Sequence, residues 1–193
     1  MPLAGDCEVQ WSSDNRTRIN TKKTKEMVID FKRDKEDVPP LILNDNPIER
    51  VHTFCLLGLH IADNLSWEHN TNKLTAKSAP RLYYLKQLSR SGMSSDDLLV
   101  FYKAIVRPVL EYACPAWHPG LTKAQSDQLE TLQKRALQIV FPSLSYREAL
   151  TTCGLSTLSD RREDICKKLF YQINNCDHKL NYLLPCKKMC NIT

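Results

Sequence analysis

The sequence predicts an α+β protein in which a small antiparallel β portion is followed by an α-helical bundle. Three observations predict it. Residues 1–65 carry short apolar runs broken by Asn, Asp, Gly and Pro, as strands and turns require. From Ser66 onward the apolar spacing changes to a helical period. Capping residues stand at the head of most of the helical segments. The expected organisation is a β-rich part over 1–65, a helical part over 66–175 and a flexible tail over 176–193.

The elements follow in chain order. In "INTKKTKEMVIDF" the basic residues Lys22, Lys23 and Lys25 precede a candidate strand over Glu26–Phe31. "KRDKEDVPP" (32–40) reads as a charged loop ended by prolines. "LILNDNPIERV" (41–51) reads as a hairpin turning at Asn44-Asp45, residues that tolerate left-handed backbone angles. "VHTFCLLGLHI" (51–61) reads as one strand with Gly58 inside it, where a glycine marks a bulge or a close backbone approach. Ser66 then opens a helix with Glu68 and His69 in its first turn; Trp67, Leu74, Ala79, Leu82 and Leu85 follow at near-helical spacing. Pro80 should kink or divide this helix. "SSDDLLVFYKAIVRPVLEYACPAW" (94–117) has a serine cap and an acidic first turn, and is expected to bury Leu98, Phe101, Ile105 and Leu110. Over 123–140, Leu129, Leu132, Ala136 and Ile139 form one apolar face. "SYREALTTCGL" and "LSDRREDICKKLFYQINN" supply two further helices.

Composition narrows the function classes. The 193 residues are 42% hydrophobic and 25% charged, ordinary for a globular protein. The net charge of +5 permits a polyanionic partner without demanding one. No apolar run approaches the ~20 residues of a membrane span, so a soluble protein is expected. "MPLAGDCEVQW" lacks a basic leader and an apolar core, so no secretory signal is expected. The eight scattered cysteines then read as reduced intracellular thiols, in nucleus or cytoplasm. Cys166, Cys176, His178, Cys186 and Cys190 are possible zinc ligands, but their spacing matches no compact knuckle, and no metal is expected.

Other chemistry finds little support. Asp96-Asp97 could hold magnesium, yet they follow two serines and open an apolar helix, where acids cap free amides. The histidines at 52, 60, 69, 118 and 178 are dispersed, and "HIAD" sets Asp63 three positions after His60, the wrong spacing for an iron site on a strand. With only 5 glycines there is no phosphate-cradling loop. No catalytic residue and no cofactor are expected.

The basic stretches are different. Arg16, Arg18, Lys22, Lys23 and Lys25 precede the first strand, and Lys32, Arg33 and Lys35 follow it. Lys73, Lys77, Arg81, Lys86 and Arg90 recur every four to five positions, close to one helix face, beside Tyr83 and Tyr84. A solvated surface explains both groups; so does a track for a phosphate backbone.

The order of motifs resembles the C-terminal part of a non-LTR (LINE-type) retrotransposon reverse transcriptase. The stretches that carry the resemblance are "WSSDNRTRINTKKTKEMVIDF", "PIERVHTFCLLGLHIADNLSWEHN", "RLYYLKQL", "FYKAIVRPVLEYACPAW" and "LETLQKRALQIV", and the resemblance as a whole covers roughly Trp11 to Ile173. The resemblance implies a palm remnant followed by a thumb and connection region. Asn20, Lys23 and Thr24 stand at the family's motif D, beside the phosphates of an incoming nucleotide. Phe54, Leu57 and Gly58 stand at motif E, the primer grip. It implies RNA or an RNA–DNA hybrid as partner, contacted by Lys22, Lys23, Lys25, Gly58, Lys73, Lys77 and Arg81. The family's catalytic aspartates lie upstream of these motifs, so a truncated, non-catalytic fragment is expected, with a sheet edge open to self-association. "MPLAGDCEVQ" does not resemble the helix that precedes motif D, and Thr17 stands where the family has an apolar residue. Residues 28–88 also resemble the alkylated DNA repair protein AlkB homologue (number eight) N-terminal domain. That name implies oxygenase or methyltransferase activity, for which the sequence offers neither an iron triad nor a methyl-donor loop.

Overall fold

Strand pairs occupy the first part of the chain and helices the remainder, as the α+β reading expects, in a computed structural model that describes residues 10–33, 38–175 and 177–184. The chain divides into two compact units, residues 1–70 and 71–193. No helix among the described residues is long and apolar enough to cross a membrane.

The first described segment of the first unit is a helical turn over 10–14. Its described residues form six short strands: β1 (Lys25–Glu26), β2 (Ile42–Leu43), β3 (Asn46–Pro47), β4 (Glu49–Arg50), β5 (Thr53–Leu56) and β6 (Leu59–Ala62). They form three separate pairs: β2 with β3 and β5 with β6 are antiparallel, while β1 with β4 is parallel. The expected hairpin at 41–51 is present. Leu43 pairs with Asn46, so Asn44 (φ 49) and Asp45 (φ 61) are the central residues of a two-residue turn that needs positive φ at both.

Two expectations for this unit are corrected. The strand over Glu26–Phe31 shrinks to Lys25–Glu26, because β4 supplies a ladder only as far as Arg50, with one more bond from Val51 N–H to the Glu26 carbonyl at 2.9 Å. Ile29 and Phe31 are accordingly exposed. The expected single strand over 51–61 is a hairpin. Leu56 pairs with Leu59, which makes Leu57 (φ 50) and Gly58 (φ 84) a second turn of the same kind, not a bulge.

One carboxylate ties this unit together. Glu26 Oε1 accepts from Arg50 Nε at 2.8 Å and its Oε2 accepts from Leu41 N–H at 2.9 Å, while Arg50 also reaches the Pro39 carbonyl at 3.2 Å. Leu43 and Ile48 are buried apolar residues of this unit.

Among the described residues seven α-helices follow: α1 (Glu68–Arg90), α2 (Ser95–Phe101), α3 (Arg107–Glu111), α4 (Cys114–Trp117), α5 (Lys123–Val140), α6 (Tyr146–Cys153) and α7 (Leu158–Ile173). Ser94, Thr122, Ser145 and Thr157 each cap a helix by accepting from the backbone N–H three residues on; Thr122 and Ser145 complete reciprocal boxes with Gln125 and Glu148. Such caps contribute ~1 kcal/mol apiece. Gly154 ends α6 in the left-handed region at φ 61. The helix expected from Ser66 begins at Glu68, whose N–H the Ser66 hydroxyl accepts at 3.4 Å. Pro80 does not divide α1. It leaves a carbonyl in the preceding turn without its amide partner, and the Arg81 guanidinium donates to the nearby Lys77 carbonyl.

The core of the helical unit corrects two faces. Residues 102–106 form a π-helical turn between α2 and α3. It makes Leu98, Tyr102, Val106 and Leu110, spaced by four, the buried positions. Phe101 is half-buried and Ile105 exposed, because the wider turn rotates them off the core face. On α5, Leu129, Leu132, Ala136, Leu137 and Val140 are buried and Ile139 is half-buried at the rim. α5 packs against α2, α6 and α7.

Candidate nucleic-acid interface

Lys22 and Lys23 ride on a closed loop. The Asn20 carbonyl accepts from the N–H groups of Lys23 and Thr24 and from the Thr24 hydroxyl, each at 3.0 Å, and the Asn20 side chain also accepts from Lys23 N–H at 3.3 Å. Asn suits this position because its short side-chain oxygen substitutes for a backbone acceptor in a turn. The backbone is thereby fixed while both lysine side chains stay exposed. Lys25 differs: it is ion-paired with Glu49 across the parallel β1–β4 pair. Arg16 and Arg18 are exposed nearby in sequence, and Lys35 lies outside the described residues.

Gly58 sits at the tip of the β5–β6 hairpin beside Leu57, which is 84% exposed. All of β5 is exposed, Phe54 and Leu56 included. The hairpin also joins two groups that the sequence kept apart. His52 Nδ1 and Asp63 Oδ2 lie 2.7 Å apart, just beyond the Thr53–Ala62 pair, in a cleft of about 430 Å³ that Asp30, Lys32 and Arg50 share. Reading 51–61 as one strand hid this pair; a turn at Leu57-Gly58 is the signal that would have found it.

On α1, Lys73 and Lys77 are exposed and Arg81 is half-buried, its guanidinium engaged with the Lys77 carbonyl. At about 100° per residue these three share a face with Tyr84, whereas Lys86 and Arg90 lie on another flank. The five basic residues therefore do not form the single stripe that their spacing predicts. Tyr83 and Tyr84 are both exposed, their rings edge to face at 5.8 Å.

A second cavity adjoins the lysine loop. It has a volume of about 480 Å³, and its walls include Trp11, Arg18, Ile19, Leu43 and Thr24, the last residue of the loop. Sequence reasoning quoted Trp11 and Arg18 without assigning them to a site.

Of the other groups singled out in the sequence, Asp97 has a structural role. Asp97 N–H is capped by the Ser94 hydroxyl, which in turn donates to the Asp97 carboxylate at 2.7 Å. Cys114 and Cys166 are free thiols, and burial pushes the Cys114 thiol up to about 12. Among the described residues no group of three or more His, Cys, Asp and Glu could hold a metal ion. Cys176, Cys186 and Cys190 lie outside those residues.

Comparison with known proteins finds a likeness to "Probable RNA-directed DNA polymerase from transposon X-element" of Drosophila melanogaster. The two are 25% identical over 136 residues, which is 68% of this chain and 14% of the relative. The chain thus matches a small part of that protein. No family model and no solved structure matches. The likeness supports a retroelement, reverse-transcriptase-like origin; nothing found supports the AlkB-homologue resemblance.

Proposed function

We propose that this chain is a retroelement-derived, reverse-transcriptase-like segment that contacts nucleic acid without performing chemistry, residues 1–65 corresponding to a palm edge and 66–175 to a thumb and connection region. The observation that carries the reading is the closed loop from Asn20 to Thr24, which holds Lys22 and Lys23 in solvent on a fixed backbone. With the backbone already fixed, only side-chain freedom is lost when either ammonium group meets a phosphate. Lys73 and Lys77 on α1 would add further phosphate contacts, with Tyr84 on the same face as a surface for a base. Lys25 and Arg81 contribute less, since each already has a partner. Gly58 would serve the hairpin turn rather than approach a primer backbone.

Fluorescence anisotropy with an RNA–DNA hybrid at rising salt tests this. Counterion release predicts an affinity that falls steeply between ~50 and ~200 mM salt, with a slope reduced by about 1 for each of Lys22→Ala and Lys23→Ala. Binding that ignores salt overturns the reading.

A second reading rests on the exposed hairpin. Phe54, Leu56 and Leu57 put apolar surface along an open strand edge, which favours self-association. Size-exclusion chromatography with light scattering decides: a monomer at all concentrations rules this out.

A further inference from the structure

We infer that the cavity beside Trp11 takes one unpaired nucleobase of a single-stranded RNA. Its volume of about 480 Å³ falls in the range of small-molecule sites. Its walls combine an apolar interior with an exposed aromatic face. Leu43 is 3% exposed and Ile19 half-buried, while the Trp11 indole is 63% exposed at the rim. An indole left in solvent beside a cavity is a stacking surface for another flat ring.

The polar groups narrow the ligand. Ser12 Oγ donates to the Thr17 carbonyl at 2.8 Å, Thr17 Oγ1 donates to the Ser12 carbonyl at 3.2 Å, and Thr24 Oγ1 donates to the Asn20 carbonyl at 3.0 Å. With their protons committed, the three hydroxyls offer the cavity acceptors only. They suit a base with an exocyclic amine, such as adenine.

Charge supplies the rest of the ligand. Arg18 is part of the wall, and Lys22 and Lys23 belong to the loop that ends on Thr24. Residues 15–25 contain five cations and no acid, and Asp14 accepts from the Gln10 amide. An anionic backbone carrying a flat ring satisfies both features; an apolar helix from a protein partner satisfies only the first. The inference rests on the reading of the lysine loop as a phosphate contact.

The test compares two labelled strands of about ten nucleotides, oligoadenylate RNA and an abasic strand of the same length, by anisotropy on the full chain. The base-bearing strand should bind on the order of 10-fold more tightly. Trp11→Ala should abolish that margin and leave abasic affinity unchanged, while Trp11→Phe keeps most of it. Lys22→Ala with Lys23→Ala should weaken both strands together. Circular dichroism establishes that the Trp11 variants are folded. Equal affinity for the two strands, or a margin that survives Trp11→Ala, overturns the nucleobase site. If both strands then still bind with a steep salt slope, the phosphate-contact reading stands alone. If neither strand binds, both fall.

Discussion

Arg162 Nε lies 3.3 Å from Nδ1 of His118, and the imidazole is the acceptor. Arg162 is fully buried, stacks over Trp117 at 5.7 Å and reaches the Ser126 hydroxyl at 3.4 Å, while its NH1 has no hydrogen-bond partner among the described residues. Burial lowers the His118 pKa first, and the Arg162 charge lowers it further. The folded value therefore lies below the unfolded one of 6.5, and below pH 6.5 the unfolded chain binds more protons. Stability from the neutral imidazole is full above that pH and is lost as pH falls through the folded pKa. The melting temperature should drop on going from pH 7 to pH 5. His118→Gln, which keeps an acceptor and cannot be protonated, should flatten that slope. An equal slope in wild type and variant would mean that His118 is not the titrating group.

Gln133 is a buried polar residue with every listener accounted for by a helix or its flank. Its carbonyl oxygen accepts from the Tyr102 hydroxyl at 2.5 Å, and its amide donates to Tyr146 Oη at 2.9 Å and to the Ser156 carbonyl at 3.0 Å. Burial raises the Tyr102 and Tyr146 pKa values, which keeps both phenols protonated. Glu130 accepts from Tyr146 and from the N–H groups of Leu158 and Ser159, both at 3.2 Å, and so caps α7 from α5. Tyr102→Phe should cost about 1–3 kcal/mol in urea unfolding, since it leaves a buried acceptor unmet. Gln133→Leu should cost more, because it strands the Ser156 carbonyl as well as a phenol. A neutral result for both would show that water reaches the cluster.

The π-helical turn gives a sharper contrast. Val106 is fully buried and Ile105 is 45% exposed, opposite to what a regular helical period assigns. Val106→Ala should cost about 2 kcal/mol, from lost methyl burial and the cavity left behind. Ile105→Ala should stay below about 1 kcal/mol. Chemical denaturation of the two variants measures both, and the reverse order would place the regular face toward the core.

Features with local causes were legible in the sequence. The turn at Asn44-Asp45 follows from two residues that tolerate positive φ, and the cap at Ser94 follows from a hydroxyl ahead of acids. What escaped depends on distant partners or on local geometry that the residue types disguise. Glu49, the partner of Lys25, is 24 residues away, so its charge could not be assigned in advance. Leu57 masked a turn, since an apolar residue ahead of glycine reads as strand; with that turn went the meeting of His52 and Asp63. The shift from Ile105 to Val106 requires one wide turn, which no residue in "YKAIV" announces.

The hairpin turn and the lysine loop respond to mutation in opposite ways. Gly58 has φ 84 in a two-residue turn, and a β-branched side chain resists that conformation at a cost of ~1–3 kcal/mol. Gly58→Val should therefore lower the melting temperature by several degrees, at roughly 2–8 °C per kcal/mol for domains of this size range. Lys23→Ala should leave it nearly unchanged. What fixes the loop is the Lys23 backbone N–H, donated to Asn20, and alanine keeps it. The exposed ammonium adds at most a few tenths of a kcal/mol. Differential scanning fluorimetry on the two variants separates the roles. If Lys23→Ala is the more damaging change, the ammonium is a structural partner, and a lysine held out for a phosphate is the wrong description of this loop.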